Sequence, residues 1–563
     1  MPDQHADGPP QPKPIPIPAD FPVTWAQEED AQLGLELDRM HFPDPIPLLE
    51  VQIWGSAIDK GITQAHEAFG IPLLMTSRHI NHYFYNCMMP SAPLEEMGER
   101  MQLAEARIDD AEKRLEALWT EEWLPEIKEH LAFWDAFDLG RADLSQLADH
   151  FEETLRKSDR LWTVHFLIVT PVYGALNSFD ELYKDLFEEE EDAFQALRLL
   201  QGLDNKSLET DRALWSLSRT ANDSKDVCET IQALPADQIK EALNATTDGQ
   251  SFLAEMDTFL STYGERGPTW SIHLPSWIED PTPAFMILKD YVSQPNRDPM
   301  AELNAQAEAR DQAVSVVRER LKGYPQTVID EFETRLSTAQ LANVLTEDHG
   351  FWLDFKGNHR IRMVCVEAGS RLAAAGIIPT ADDVFELSTD EVIQALRGHE
   401  TSNLDDAVSE RRADRAHFAT IDAPARLGMD YGPPPPGTMT QVFVKFFGIP
   451  PEPDEDPAVL NGRAGSPGKV RGTARVVHSL SDADRLEKGE ILVTGATSPP
   501  WTPLFSVAGA IVTDTGGILS HCAVVAREYS IPAVVGVGRA TTGIKDGQLI
   551  EVDGDAGVVR IVS

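Results

Sequence analysis

The 563-residue chain has little cysteine, few basic residues and no long apolar run. Its four cysteines form neither a Cys-x-x-Cys pair nor any other metal-ligand spacing; they are Cys87, Cys228, Cys365 and Cys522. This usage argues against a disulfide framework or a structural zinc site and predicts reduced, packed thiols. Because no apolar run reaches the length needed to cross a bilayer, we expect no membrane-spanning helix.

The N-terminal stretch is polar and rich in proline. It lacks the apolar segment that a secretory signal requires. We therefore expect residues 1–20 to form a disordered or extended arm, and we expect the protein to be cytoplasmic.

Acidic residues outnumber basic ones by 92 to 48, which gives a formal net charge of −44 at pH 7. The excess lies before residue 461, because residues 461–563 contain ten basic and ten acidic residues. A surface of this sign repels nucleic acid and anionic lipid, so we expect neither as a partner. Solubility is the simplest interpretation of the charge, and an acidic face for a basic partner subunit is the alternative.

Residues 449–460 are rich in proline and acidic side chains, which is typical of an interdomain linker. A chain of this length needs more than one core, so a boundary here is reasonable. Before it, apolar residues recur at alternating spacings of three and four, most clearly from Leu94 to Leu118. This spacing predicts long packed helices. We therefore predict a mainly helical domain over residues 21–448.

The sequence pattern changes after the linker. Short β-branched runs alternate with turns that contain glycine, and one helix is predicted near Ser520–Tyr529. This pattern predicts a small α/β domain over residues 461–563. The predicted fold class is thus multidomain, with a large mainly α-helical domain followed by a small α/β domain.

His521 is the candidate catalytic residue of the small domain. A buried strand, Ala510–Thr513, leads to Gly516 and Gly517, where a turn lets a backbone or a ligand approach closely. Ser520 is a suitable N-cap, which makes His521 the first residue of the following helix. Free N–H groups and a partial positive charge at a helix start favour a phosphate and a neutral imidazole. His521 could therefore attack and carry a phosphoryl group, although a lone histidine is more often structural.

The surroundings of His521 resemble the phosphohistidine signature of the PEP-utilising family, TDxGGxxSHxAIVAREYGIPAVVG. The matching residues run from Thr513-Asp514-Thr515-Gly516-Gly517 through Ser520-His521 to Ala526-Arg527-Glu528 and Gly536. Further matching segments are Gly465–Val477, Gly489–Val493, Thr497–Phe505 and Asp546–Gly554. The resemblance covers the last hundred residues. It implies a swivelling domain with His521 as the phosphohistidine, supported by Thr515, Gly516, Gly517 and Ser520.

In this family an ATP-grasp domain charges the histidine. No stretch of the sequence resembles that domain, and no Gly-x-x-x-x-Gly-Lys-Ser/Thr loop is present. We therefore expect a separate ATP-grasp subunit to bind ATP with Mg²⁺ or Mn²⁺ and to pass the β-phosphoryl group to His521, releasing AMP and phosphate. The sequence stops at Ser563, so we expect no PEP/pyruvate barrel, and we expect no metal ligands in the chain.

The helical region carries a second resemblance. His349–Val364 and Asp382–Glu391 are similar to the end of the acceptor-binding domain in rifampin phosphotransferase and its relatives. This implies that the helical domain binds the acceptor. By resemblance to phenylphosphate synthase and the two-subunit hydroxyacetophenone kinases, we expect a small aromatic acceptor, a phenol hydroxyl, whose aryl phosphate would enter aromatic catabolism.

Candidate acceptor-site residues are aromatic or basic. The segment 79–85 is dense in polar aromatics that could line a pocket for an aromatic ring, namely His79, His82, Tyr83 and Tyr85. A phenol acceptor also needs a base and a cation near the phosphoryl group, for which the candidates are Lys356, His359, Arg360 and Arg362. Arg360 and Arg362 cannot face the same side of a helix, so at most one contacts the acceptor. Core packing, or an ordinary salt bridge, is the alternative for each residue.

Two other functions are compatible with these motifs. One is a component of a rifampin-type antibiotic phosphotransferase, although such enzymes usually carry the ATP-grasp domain in the same chain. The other is a regulatory phospho-carrier protein, in which a large aromatic-rich helical domain would be unnecessary.

Overall fold

The computed structural model describes residues 12–187, 194–399, 403–432, 441, 444–446, 448, 451, 454–478, 480–497 and 499–562. The chain divides into two compact units that interleave along the sequence. The first unit comprises Met1–Ile108, Glu126–Leu167 and Arg360–Thr440. The second unit comprises Asp109–Pro125, Ile168–His359 and Gln441–Ser563. The predicted domain boundaries stay predictions, and several linker positions, 449–450 and 452–453, lie outside the described residues.

Helices dominate the chain before residue 420. In order they are α1 (Leu48–Phe69), α2 (Met97–Lys113), α3 (Leu115–Ala117), α4 (Leu124–Asp135), α5 (Leu144–Leu186), α6 (Gln195–Arg198), α7 (Lys206–Asp223), α8 (Lys225–Ala233), α9 (Ala236–Asn244), α10 (Thr247–Tyr263), α11 (Thr282–Val292), α12 (Pro299–Arg320), α13 (Gln326–Gly350), α14 (Lys356–Ala374), α15 (Thr389–Leu396) and α16 (Asp405–Phe418). Short π-helical turns occupy Leu118–Trp123 and Phe351–Phe355. The 3₁₀ turns are Glu28–Gln32, Leu94–Glu96, Ala381–Glu386, Leu480–Arg485 and Pro499–Ser506.

The predicted apolar seam is confirmed over most of its length. Ala104, Ile108, Leu115 and Leu118 are buried. Leu94 is 76% exposed, because it lies in the 3₁₀ turn before α2 begins. Within the described part of the chain, no helix combines the length and the apolarity that crossing a bilayer requires.

The first unit contains an antiparallel sheet that the sequence analysis did not predict. Its strands are β1 (Lys13–Pro14), β2 (Gly34–Leu37), β3 (Leu73–Ile80), β4 (Tyr83–Pro90) and β5 (Arg426–Asp430), in the order β1-β5-β2-β4-β3. β3 shows almost no inside–outside alternation, so the usual pattern of a strand is missing. Part of the predicted arm, Lys13–Pro14, is thus an edge strand, and residues 1–11 lie outside the described residues.

The second unit contains the predicted small α/β region. Its strands are β6 (Val459–Asn461), β7 (Arg463–Ser466), β8 (Lys469–Val476), β9 (Ile491–Thr494), β10 (Ala510–Thr513), β11 (Ala533–Val535), β12 (Leu549–Asp553) and β13 (Val558–Ile561), and its helices are α17 (His521–Glu528) and α18 (Ala540–Gly543). The strands form one sheet in the order β6-β13-β12-β8-β9-β10-β11-β7, in which β8, β9, β10 and β11 are parallel. The short strands predicted here are confirmed.

Both faces of this mixed sheet are covered by apolar side chains. Ile511 belongs to one buried cluster together with Ala523 of α17, whereas Val512 belongs to the cluster on the opposite face. This alternation is the two-residue period of a β-strand. The loop after β10 leaves the sheet at the carboxyl ends of its parallel strands, which is where α/β folds usually place a reactive group.

Candidate functional site

His521 is the first residue of α17, as the sequence predicts. The backbone of Ser520 is extended, with φ −67° and ψ 157°, as an N-cap requires, but its side chain makes no capping hydrogen bond. Ser520 Oγ is buried and has no hydrogen-bond partner among the described residues. Leaving a buried hydroxyl unpaired costs free energy.

Both ring nitrogens of His521 contact side chains of the second unit. Nδ1 lies 3.2 Å from Glu347 Oε1, and Nε2 lies 3.3 Å from Thr502 Oγ1. The ring also meets the Phe505 ring edge-on, with centroids 6.2 Å apart. Only 11% of the His521 side chain is exposed. The imidazole is therefore held in one orientation.

Glu347 of α13 is the charged partner of His521. Its side chain is 3% exposed, and its Oε2 accepts a hydrogen bond of 2.6 Å from Ser207 Oγ. Burial acts to raise the pKa of Glu347, but the charge and hydrogen bond of His521 and the Ser207 hydroxyl together hold that pKa below its ordinary value. In the tautomer that carries its proton on Nδ1, His521 donates to this carboxylate, and the Nε2 lone pair is then available as a nucleophile.

Buried polar groups surround Glu347. Arg266 is 2% exposed, donates to Thr210 Oγ1 at 2.8 Å and lies over the Trp277 ring at 5.1 Å. Burial lowers the pKa of Arg266 to about 10, with Glu347 acting in the opposite direction. Burial and the negative charge of Glu347 raise the pKa of Tyr173. At neutral pH the arginine is therefore cationic and the tyrosine keeps its proton.

A backbone segment approaches the Gly516–Gly517 turn, as the glycines predict. Gly517 N donates to Phe446 O at 2.7 Å. A Cβ atom on Gly517 would lie 2.2 Å from Lys445 O, so only glycine fits there. Thr515 Oγ1 donates to Gly495 O at 3.1 Å, which engages its proton within the loop. The support of a phosphoryl group by Thr515, Gly516, Gly517 and Ser520 stays a prediction.

Two of the acceptor-site candidates, Tyr83 and Tyr85, lie on β4 of the first unit. Tyr83 OH donates to Phe418 O at 3.2 Å, and Tyr85 OH donates to Pro424 O at 2.9 Å. Both rings belong to the buried core of the five-stranded sheet. Burial raises the pKa of both hydroxyls. Core packing, the stated alternative, accounts for the positions of these tyrosines, and their acceptor role stays a prediction.

His79 and His82 lie at the tip of the same hairpin. His82 has a left-handed backbone, with φ 66°, and its Nε2 lies 3.0 Å from Asp414 Oδ2. The two imidazoles meet edge-on, with centroids 5.4 Å apart. Burial, followed by the neighbouring charge of His82, lowers the pKa of His79 to about 4, so that ring is neutral. Contact with an acceptor stays a prediction for both.

The remaining candidates share α14 but have different partners. In the second unit, Lys356 Nζ lies 2.7 Å from Glu265 Oε2 and over the Phe351 ring at 5.1 Å. His359 Nδ1 lies 4.0 Å from Glu279 Oε2.

In the first unit, Arg360 makes a bidentate pair with Asp135, at 2.9 and 3.1 Å, whereas Arg362 lies over the Phe385 ring at 5.5 Å. The two arginines therefore have separate surroundings, as their spacing predicts. A role for any of these four residues in acceptor binding stays a prediction.

Sequence reasoning missed the residues that touch His521. Thr502 lies inside the resembling segment Thr497–Phe505, so that segment carried a usable signal. Glu347 lies two residues before the resembling segment that begins at His349. Ser207, which donates to Glu347 rather than to His521, has no distinguishing sequence signal.

The mixed sheet and the helix that begins at His521 lie in a part of the chain that matches a known family. Residues 486–557 match the family described as PEP-utilising enzyme, mobile domain. Residues 165–346 match the family described as rifampicin phosphotransferase fourth domain. His521 lies inside the first match, and Glu347 directly follows the second.

Several individual proteins are similar to this chain in sequence. Chondramide synthase cmdD of Chondromyces crocatus is 39% identical over 97% of this chain, which covers 14% of that protein. The uncharacterized phosphotransferase YvkC of Bacillus subtilis is 32% identical over 71% of this chain and 47% of its own length. A rifampicin phosphotransferase of Streptomyces sviceus is 30% identical over 64% of this chain and 40% of its own length. The chain thus spans less than half of each of these relatives, which are rifampicin phosphotransferase-like proteins and related synthases.

Proposed function

We propose that His521 carries a phosphoryl group and transfers it to a small acceptor, which makes the chain part of a dikinase-type phosphotransferase. The observation that carries this proposal is the buried pair of His521 Nδ1 and Glu347 Oε1 at 3.2 Å. A structural histidine does not need a buried carboxylate to set its tautomer. A nucleophilic histidine does, because the imidazolium-like charge that develops on attack must be offset.

The chemistry has two halves. In the first, Nε2 of His521 attacks a phosphorus atom of the donor, an N–P bond forms, and the P–O bond to the leaving group breaks. In the second, the acceptor oxygen attacks the same phosphorus, the N–P bond breaks, and its electron pair returns to Nε2. A base takes the acceptor proton. Splitting the transfer in this way replaces one difficult step by two easier ones.

The donor we propose is ATP with Mg²⁺ or Mn²⁺, held by an ATP-grasp subunit. Attack on the β-phosphorus releases AMP, and hydrolysis of the terminal phosphoanhydride releases phosphate and leaves the β-phosphoryl group on His521. The match to the PEP-utilising mobile domain supports this donor chemistry. A longer chain that includes its own ATP-grasp domain is the alternative arrangement.

The acceptor we propose is a hydroxyl, with a phenol as the favoured class. Lys356, which lies over the Phe351 ring, provides a cation among aromatic side chains of the second unit. The second candidate acceptor is a rifampicin-type antibiotic, favoured by the match of residues 165–346 to the rifampicin phosphotransferase fourth domain. Both acceptors would use the same His521 chemistry.

The test is phosphoryl capture on His521. The full chain is incubated with ATP labelled at the β-phosphorus and with an ATP-grasp protein encoded beside it, and peptide mass spectrometry locates the label. We expect acid-labile label on His521, and acceptor-dependent AMP release across a panel of phenols and rifampicin. His521→Ala should abolish both, whereas His478→Ala, which changes an exposed histidine of the same domain, should abolish neither.

The remaining outcomes separate the alternatives. Label on His521 without turnover for any acceptor would favour the regulatory phospho-carrier. No label on His521 with any donor protein would overturn the proposal.

A further inference from the structure

The loop before His521 is bonded to a short backbone segment, residues 444–446 and 448, which we call the strap. Gly517 N donates to Phe446 O at 2.7 Å, and Leu519 N donates to Lys445 O at 2.8 Å. Both donors belong to the loop between β10 and α17. The conformation that presents His521 is therefore stabilised by a segment that precedes every strand of the mixed sheet.

The strap and the loop approach each other more closely than side chains would allow. A Cβ atom on Gly517 would lie 2.2 Å from Lys445 O. On the strap, Gly448 has φ 73°, and a Cβ atom there would lie 2.4 Å from Gly516 O. Glycine is thus required on both sides of the contact. This fit indicates a specific contact between the two segments.

The side chain of Lys445 anchors the strap to α5. Its Nζ lies 2.6 Å from Asp180 Oδ2 and 2.6 Å from Asn177 Oδ1. The Lys445 and Asp180 side chains are only 16% and 13% exposed. The Phe446 ring packs on the Tyr173 ring of the same helix, with centroids 4.4 Å apart. One residue thus bonds the loop through its carbonyl and the helix through its ammonium group.

We propose that Lys445 is a positioning residue that holds His521 against Glu347. Lys445 ties the Gly516–Gly517 loop to α5, and the loop determines where α17 begins. When the contact of Lys445 with α5 is lost, we expect His521 to separate from the Glu347 carboxylate more often. The consequence for phosphoryl transfer rests on the proposed function, whereas the docking of His521 does not.

Chemical modification of the full chain tests the docking directly. Diethyl pyrocarbonate acylates imidazole nitrogens, and both nitrogens of the 11% exposed His521 contact other side chains, so its modification requires release. Lys445→Met should raise the rate of modification at His521 about tenfold, because removing one partner of a buried ion pair is costly. The exposed His478 gives the internal reference rate in each protein.

Lys184 offers a matched control. Its Nζ lies 2.7 Å from Asp180 Oδ2, the same carboxylate oxygen, but its side chain is 63% exposed and lies on α5 itself. Lys184→Met should leave the His521 rate within about twofold of wild type, since surface ion pairs contribute little. Lys445→Arg should restore most of the protection, because it keeps the charge on the strap.

A second variant disrupts the contact between the strap and the loop without changing any charge. Gly448→Ala introduces a Cβ that collides with Gly516 O, so it should raise the His521 modification rate as Lys445→Met does. Unchanged rates at His521 in both variants would overturn the proposal.

A transfer assay separates positioning from simple loosening. In protein already phosphorylated on His521, Lys445→Met should slow single-turnover transfer to the acceptor. In unphosphorylated protein it should also slow charging, because the Glu347 carboxylate assists His521 in that step. Faster modification of His521 with undiminished transfer would overturn the positioning role. If the proposed function itself is wrong, no transfer is seen in wild type, and the modification rates still report on the strap.

Discussion

Glu347 Oε1 and His521 Nδ1 lie 3.2 Å apart, although the two residues are separated by 174 positions in the sequence. One comes from the long helix α13, the other from the first turn of α17. A buried carboxylate against one imidazole nitrogen defines which nitrogen is left to react. Four predictions follow from this pair and from the helix that carries His521.

Glu347→Gln should slow phosphorylation of His521 by about 10²- to 10⁴-fold, because the amide keeps the shape of the side chain but no longer offsets the charge on the imidazole. Rapid-quench measurement of labelled His521 gives the rate. Asp348→Asn is the matched control, since the neighbouring carboxylate accepts from Lys206 N rather than from His521. A Glu347→Gln rate within about threefold of wild type would remove the carboxylate from the mechanism.

The phosphoryl group should be attached to Nε2 of His521. The Nδ1 atom is the one engaged by Glu347, and Nε2 has the Thr502 hydroxyl beside it, at 3.3 Å. Phosphorus NMR of the denatured phosphoprotein distinguishes the two isomers of phosphohistidine. Recovery of the Nδ1 isomer would show that the imidazole ring rotates out of the orientation seen here before it reacts.

Arg527→Met should destabilise α17 and the loop that precedes it. The buried Arg527 guanidinium donates to Gly465 O at 2.7 Å and to Ile518 O at 2.9 Å, so its removal leaves two carbonyls unpaired. We expect the local free energy of unfolding to fall by about 2–3 kcal/mol, which amide hydrogen exchange over residues 516–530 would report as faster exchange. Arg471→Met, which changes an exposed side chain on β8, should leave that exchange unaltered.

The stability of the second unit should fall as the pH rises through about 7. Burial raises the pKa of Glu528 to about 7, although its Oε2 accepts from Gly202 N at 3.0 Å. This folded-state pKa lies above the unfolded value of about 4.3. The stabilisation of the fold by protonated Glu528 is therefore complete below about pH 4.3 and is lost as the pH rises through about 7.

Thermal unfolding at pH 5 and pH 8 checks this prediction. Wild type should lose about 2–3 kcal/mol relative to Glu528→Gln between the two pH values, because the amide does not titrate. A difference between the two proteins that is the same at both pH values would contradict the assignment to Glu528.

The small α/β region could be predicted from the sequence because its signals are local. β10 is a contiguous apolar run, and the helix start at His521 follows from Ser520 and the two glycines. The capping prediction for Ser520 is half correct, since its backbone caps the helix but its hydroxyl has no hydrogen-bond partner among the described residues.

The rest depends on contacts between distant segments. β2 pairs with β5, joining Gly34 to Gly428 across most of the chain, and no local pattern marks such a pairing. Glu347 looks like any acidic residue within an amphipathic helix until the fold brings it to His521. Likewise, no sequence signal indicates that the Lys445 carbonyl accepts a hydrogen bond from Leu519 in the loop before His521.

The pairing of β2 with β5 also has a consequence for synthesis. β2 lies between β4 and β5 in the sheet, so one of its edges stays open until residues 426–430 have left the ribosome. An open strand edge is a site for unwanted association between chains. N-terminal fragments that end before residue 426 should therefore aggregate, and the nascent chain should need a chaperone until its fifth strand arrives.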